Sequence, residues 1–352
     1  MTRYLFRSKI LQVLSHPLSW IYEGALKMKP HQRAIKLHVP IISVGNIHSG
    51  GVGKTPLVIA LVKTLHTLGW TPCVVSRGYK GRLSKQGARV DSTVTAKDVG
   101  DEPCEIHRAC PDAGVFIGAD RVLAAQRASA IGDIIILDDG FQHKKLARDI
   151  DMVVLPADSS SHEERLLPLG RLREPASALL RADAIIFIAE PQHEDQGEAT
   201  LASWPIKGDS RIFCIQKNIG KIHAYKGTVE PVALLGRKVV AFSAIAQPER
   251  FLETLELAGA EVVDAVLKRD HASFTENDLK VISKLLRLHD NAIGVTTAKD
   301  AARLDHAPLP FSAAIVETEI QCDELADFIH KKLERLGYKP GLIGPKHIKR
   351  IK

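Results

Sequence analysis

Between Ile41 and Pro56 the chain passes from an apolar strand into a glycine-rich turn and then into a helix, and this junction constrains the fold more than any other stretch. The run Ile41-Ile42-Ser43-Val44 stops at Gly45, and His48-Ser49-Gly50-Gly51-Val52-Gly53-Lys54-Thr55 follows. Glycines reach positive φ and carry no Cβ, so successive backbone N–H groups can converge on one anion. The helix opening near Lys54 adds the positive end of its dipole. Residues 48–55 are therefore assigned to phosphate binding, with Lys54 reaching the β- and γ-phosphates of a nucleotide and the Thr55 hydroxyl ligating Mg²⁺.

The usual G-x-x-x-x-G-K-S/T spacing would place glycine at position 48, where this chain has His48. Its paired glycines at 50 and 51 are similar to the variant loop of the partitioning ATPases, which carry a lysine where this chain has Ser49. The second half of a phosphate site is Ile134-Ile135-Ile136-Leu137-Asp138-Asp139-Gly140. A carboxylate ending an apolar strand can hold Mg²⁺ through water, so Asp138 and Asp139 are the metal candidates. The bland alternative, a helix cap or turn aspartate before Gly140, accounts for one of the two more easily than for both.

Short β-branched runs alternate with helical stretches, which predicts an α/β fold: a P-loop NTPase-like doubly wound parallel sheet with a second, smaller α/β domain. Expected strands are 41–44, 73–76, 115–117, 134–137, 152–155 and 184–189, then 239–243, 292–297 and 313–317. Several end in polar residues, such as Ser76-Arg77 and Asp120-Arg121, which should face a ligand beyond the carboxyl edge. The expected organisation is amphipathic helices over 1–36, a phosphate-loop domain over 37–190, a linker with a pair of strands over 191–237, the smaller domain over 238–330, and a basic tail over 331–352.

The net charge of +7 sits at the two ends. Residues 1–36 hold seven Lys/Arg against Glu23, and residues 331–352 hold eight against Glu334, which leaves the middle acidic. The first segment also interleaves Tyr4, Phe6, Trp20 and Tyr22 with aliphatic residues, and Pro17 divides it. That pattern suits helices lying on an anionic membrane surface, although amphipathicity alone also fits a helix packed on its own domain. No nucleic-acid motif accompanies the charge, so no nucleic-acid partner is expected. No apolar run is long enough to cross a bilayer and no signal peptide is evident, which predicts a cytoplasmic protein. The five cysteines lack metal-ligand spacing and read as reduced, mostly buried thiols.

Taken together, these segments closely resemble the tetraacyldisaccharide 4′-kinases. The resemblance rests on Gly45-Asn46-Ile47 through Pro56, Ser76-Arg77-Gly78-Tyr79, Gly100-Asp101-Glu102-Pro103, and Asp138-Asp139-Gly140-Phe141-Gln142-His143. It continues through Leu167-Pro168, Gly170-Arg171-Leu172-Arg173-Glu174-Pro175, Asp270-His271 with Phe274, and Thr297 with Lys299-Asp300. One departure is Val52, where the family commonly has Thr.

The resemblance implies ATP and Mg²⁺ as cosubstrates and an acylated glucosamine disaccharide 1-phosphate as acceptor. It implies transfer to the 4′-hydroxyl to give lipid IVA, at the cytoplasmic face of the bacterial inner membrane, by two domains that close over the site. It also suggests that Asp101 and His271 act as a pair, with the carboxylate taking the acceptor proton and the imidazole orienting it. From the residues alone, Asp101 reads more readily as a helix cap and His271 as a capping or surface histidine. Arg77, Arg121 and Arg173 are candidates for the transferring phosphoryl group or the acceptor phosphate, with surface salt bridges as the alternative. Arg173 and Glu174 are assigned to the acceptor.

Two other functions compete. A membrane-positioning ATPase switch of the partitioning type would use the same loop and amphipathic helix, but Ser49 stands where its lysine belongs. A soluble GTPase would use Thr297-Ala298-Lys299-Asp300, although guanine-reading loops have the order Thr/Asn-Lys-x-Asp.

Overall fold

The computed structural model describes residues 33–157, 159, 161, 164–189, 203–225, 232–270, 272–304 and 308–341. The expected amphipathic helices before residue 33, His271, part of the 191–237 interval and the last eleven residues lie outside the described residues.

Twelve described strands form one sheet: β1 (Ile41–Gly45), β2 (Pro72–Ser76), β3 (Ala88–Val90), β4 (Gly114–Ile117), β5 (Ile134–Asp138), β6 (Ile150–Pro156), β7 (Ala184–Ala189), β8 (Arg211–Ala224), β9 (Lys238–Ser243), β10 (Glu261–Leu267), β11 (Ile293–Thr297) and β12 (Ala313–Ile320). Their order is β10-β9-β11-β12-β8-β7-β6-β1-β5-β2-β4-β3. From β8 to β4 every neighbouring pair is parallel. The central strands β1, β2 and β5 are buried along their whole length, as parallel strands covered on both faces must be.

The helix Lys54–Thr67 buries Leu57, Val58, Leu61, Val62 and Leu65, an apolar stripe at helical spacing, against one face of this sheet. Leu325, Ile329 and Leu333 of the helix Asp323–Arg335 join the same core. The expected domain boundary at residue 330 therefore falls inside a helix, and the first cations of the basic end, Lys331, Lys332 and Arg335, belong to it. On the opposite face, Ala124, Ala125 and Ala128 of the helix Arg121–Ala128 pack on Ile135 and Leu137.

Within the interval read as a linker with a pair of strands, β8 is one long strand. Arg211–Gln216 pair parallel with β7, and Lys217–Ala224 pair antiparallel with β12. A single strand thus hands the backbone hydrogen bonding from the larger half of the sheet to the smaller. In the smaller half, Val239, Ala241, Val295 and Ala314 form one face of the core, and Val240, Phe242 and Ile315 the other.

Candidate active site

The carboxyl ends of β1, β2 and β5 meet in the crevice where open α/β sheets bind ligands. A Cβ on Gly45 would stand 2.5 Å from the Cβ of Phe141, so only glycine lets the loop leaving β1 pack against the turn after β5. Gly50 (φ 114°) and Gly53 (φ 83°) take left-handed backbone conformations, whereas a Cβ on Gly51 would face open space. Gly53 caps the helix that begins at Lys54, and the first-turn N–H groups of that helix have no intrahelical acceptor.

His48 behaves differently from the phosphate contact expected of it. Its ring is buried, packs edge-on to Trp204 at 5.8 Å, and holds Nε2 3.4 Å from Oε1 of Glu164. Around it the main chain is stitched to a second segment: the Ser49 N–H donates to the Arg171 carbonyl at 2.6 Å, and the Arg173 N–H to the Ile47 carbonyl at 2.7 Å. His48 therefore braces the loop from behind, and only its main chain belongs to the loop.

The two aspartates after β5 separate by environment. Asp138 is buried, and Oδ2 accepts from the Ser76 hydroxyl at 2.9 Å. Burial pushes its carboxyl up to about 7, with Glu102 and Asp139 adding like charge. Asp139, at φ 48°, lies 3.3 Å from Lys54 Nζ through Oδ1 and 3.0 Å from the Arg173 guanidinium through Oδ2. Burial alone would raise its carboxyl, but Lys54 and Arg173 outweigh it and hold the group below the usual carboxylate range.

A cation fits this crevice. Asp138, buried at the end of β5 and raised by that burial and by the like charge of Glu102 and Asp139, is the group that positive charge would relieve, and Thr55 is the second residue of the helix that follows the loop. Among the described residues no group of three or more His, Cys, Asp or Glu forms a complete cage. Mg²⁺ is usually held by one or two carboxylates, with substrate phosphates and water supplying the rest.

The remaining candidates take distinct places. Arg121 donates from Nη1 to the main-chain carbonyls of Asp138 at 3.3 Å and Asp139 at 2.7 Å, so it shapes the turn that presents them. Arg77 is exposed at the carboxyl end of β2. Glu174 is buried, accepts from Gln142 Nε2 at 3.2 Å and pairs with Arg181, whose guanidinium lies 3.7 Å from the centre of the Phe141 ring.

Asp101 is the first residue of the helix Asp101–Ala109, with Gly100 as the cap, so it is not the capping residue the sequence allowed. Its Oδ2 accepts from Nε of Arg303 at 2.7 Å, across 202 residues of sequence. The same guanidinium lies 3.8 Å from Asp270, the residue before His271. Arg303 carries no motif of its own, and Glu102 lies in the 100–103 segment without a role that its type and spacing would assign. Asp300, the last residue of the GTPase-like tetrapeptide, is fully buried and accepts from Ser243, Thr297 and the Ala244 N–H, so it cannot read a base.

The profile of the family described as Tetraacyldisaccharide-1-P 4′-kinase matches residues 11–334. A protein named Tetraacyldisaccharide 4′-kinase from Syntrophus aciditrophicus is 35% identical over 330 residues, covering 86% of each chain. One of the same name from Bradyrhizobium diazoefficiens is 32% identical over 344 residues, covering 94% of this chain and 96% of its own. The crystal structure of the "apo" form of LpxK from Aquifex aeolicus in complex with ATP superposes with a TM-score of 0.71 at 27% identity, covering 92% of this chain and 99% of that one.

Proposed function

The chain belongs to the tetraacyldisaccharide-1-P 4′-kinase family, and we propose that it moves the γ-phosphoryl group of ATP to the 4′-hydroxyl of a tetraacylated glucosamine disaccharide 1-phosphate, giving lipid IVA in lipid A biosynthesis. The observation that carries this reading is the contact of Lys54 with Asp139, which joins the Gly50–Thr55 loop to the Asp138-Asp139 turn. Asp101 begins the helix whose second residue, Glu102, acts on Asp138, and Asp101 is held by Arg303 from the smaller half of the sheet.

In this reading the loop N–H groups and Lys54 bind the nucleotide phosphates and meet the charge that grows as the phosphoryl group moves. Asp138 and Thr55 would hold Mg²⁺ together with oxygens of the nucleotide, and the ion would supply further neutralisation of the phosphates. Asp101 accepts the proton of the attacking 4′-hydroxyl, with His271 behind it. Arg173, paired with Asp139 before nucleotide binds, and the exposed Arg77 face the phosphate groups. Arg121 and Glu174 support the site by holding the Asp138-Asp139 turn and the Phe141 segment in place.

The protein is proposed to act as a peripheral protein at the cytoplasmic face of the inner membrane, with the aromatic and basic residues before Ala34 contacting anionic lipid. No helix among the described residues is long and apolar enough to cross a membrane. The partitioning-type switch is disfavoured by Ser49 and by the family to which the chain belongs.

Incubation with ATP labelled at the γ-position and a panel of glycolipids tests the reaction class. Label is expected in the tetraacyldisaccharide 1-phosphate fraction. Label released only as inorganic phosphate, whatever lipid is present, would sink the kinase reading in favour of an ATPase.

A further inference from the structure

Arg303 makes more of its five N–H donors than a surface arginine does. It projects from the helix Ala298–Arg303 with its side chain only 6% exposed. Nη1 donates to the Ala244 carbonyl at 2.6 Å and to Oδ1 of Asp300 at 2.9 Å. Asp300 is itself fixed, because Oδ2 accepts from the Ser243 hydroxyl at 2.9 Å, the Thr297 hydroxyl at 2.9 Å and the Ala244 N–H at 3.1 Å. The guanidinium plane is thus set by the ends of β9 and β11. A planar fork held on one edge has no freedom left on the other, and that other edge points across to Asp101.

Asp101 is located with equal precision from its own side. Gly100 before it has φ 94°, and a Cβ there would approach the Tyr79 carbonyl to 2.7 Å, so the start of the Asp101–Ala109 helix is fixed against the loop after β2. The Asp101 side chain keeps 21% exposure while Arg303 grips Oδ2. Asp270 reaches the same guanidinium at 3.8 Å and Lys299 at 3.5 Å. Asp270 is therefore tied to the same cation as Asp101.

We propose that Arg303 is a positioning residue for phosphoryl transfer: anchored on the smaller half of the sheet, it orients the Asp101 carboxylate toward the acceptor and makes that orientation depend on the two halves being in register. This rests on the reading of Asp101 as the residue that accepts the acceptor proton. Arg303 touches no reacting atom. Its contribution is geometric, and displacement of a catalytic group by about 1 Å can cost about 10²-fold in rate.

The test is a cycle in the full chain with Arg303→Gln, Arg303→Lys, Asp101→Asn and the Arg303→Gln, Asp101→Asn double variant. Turnover is read with ATP and the acylated disaccharide 1-phosphate, together with KM for ATP and Tm. Arg303→Gln is expected to lower kcat about 10- to 100-fold with KM for ATP little changed, and guanidinium ion added at about 10 mM should restore part of the loss. The double variant should be no slower than Asp101→Asn, because the carboxylate that Arg303 orients is already gone. Losses that multiply, or a wild-type kcat in Arg303→Gln, would overturn the proposal.

Arg303→Lys keeps positive charge beside Asp300, so it carries the test if the glutamine variant fails to fold. An unchanged Tm with reduced kcat supports the positioning role, and wild-type kcat overturns it. Near-wild-type turnover in Asp101→Asn would instead remove the general-base reading itself, an outcome distinct from multiplying losses.

Discussion

Lys54 and Asp139 face each other across the mouth of the phosphate loop, with Nζ 3.3 Å from Oδ1, while the other oxygen of the same carboxylate holds Arg173. About a third of the Asp139 side chain is exposed, while Lys54 is mostly covered. The contact is better understood as holding two cations where phosphate will arrive. Lys54→Met should lower kcat about 10²- to 10³-fold, the scale of losing one donor to developing charge, with Tm close to wild type. Asp139→Asn should likewise leave Tm nearly unchanged while reducing kcat/KM for ATP. Steady-state kinetics beside thermal denaturation separates these effects, and a large fall in Tm would mean the pair is structural.

Two glycines of the loop should respond differently to the same substitution. Gly53 has φ 83°, and a Cβ there would stand 2.9 Å from Cδ1 of Ile188; a Cβ on Gly51 meets nothing within 4 Å. Gly53→Ala is therefore expected to destabilise the nucleotide-free protein by more than about 1 kcal/mol, and Gly51→Ala to leave its Tm unchanged. Equal melting temperatures for the two variants would contradict the loop geometry.

Much of this arrangement is legible in the residues and some of it is not, for physical reasons. The buried runs at Ile134–Leu137 and Val239–Ser243 form strands close to their expected limits, because a strand covered on both faces must be apolar throughout. β8 escapes that rule. Its sequence mixes polar and apolar residues, is largely exposed or half-buried, and is interrupted by Gly220, and it is a strand because both halves of the sheet pair with it. β10, at the sheet edge, is only partly covered. In the site, Lys54 and the paired aspartates announce themselves by motif. Arg303 does not, since its partner Asp101 is 202 residues away and only the fold brings them together. His48 was read with the loop by position, and what redirects its ring is contact with Trp204 and Glu164, neither of which the motif contains.

Acid should unpick a specific helix cap in the smaller half of the sheet. Burial alone would raise the Asp278 carboxyl, but Lys268 and the Thr275 N–H and hydroxyl pull it down to about 2. A carboxyl lowered in the folded state stabilises above its unfolded value of about 3.9, and that stabilisation is lost as pH falls toward the folded value. Asp278→Asn should cost about 1 kcal/mol at pH 7, the usual worth of a cap, and the gap from wild type should narrow between about pH 4 and pH 2. A gap independent of pH would show that the carboxylate charge contributes nothing there.

Membrane recruitment is expected to reside in the segment before Ala34. A chain lacking residues 1–33 should co-sediment more weakly with anionic liposomes than the full chain, and full-chain binding should fall as salt rises through screening. Undiminished binding of the truncated chain would move the contact to the basic C-terminal end or to the acceptor cleft.

The central claim is that this site moves the γ-phosphoryl group of ATP to one hydroxyl of the disaccharide. Phosphorus NMR of the lipid recovered after incubation with ATP and tetraacyldisaccharide 1-phosphate tests it most directly. A second phosphomonoester resonance, coupled to the proton on the 4′-carbon and growing as ADP accumulates, is the predicted result. A lipid that keeps only its 1-phosphate signal while ADP and inorganic phosphate accumulate, or one that gains a pyrophosphate at position 1, would contradict it.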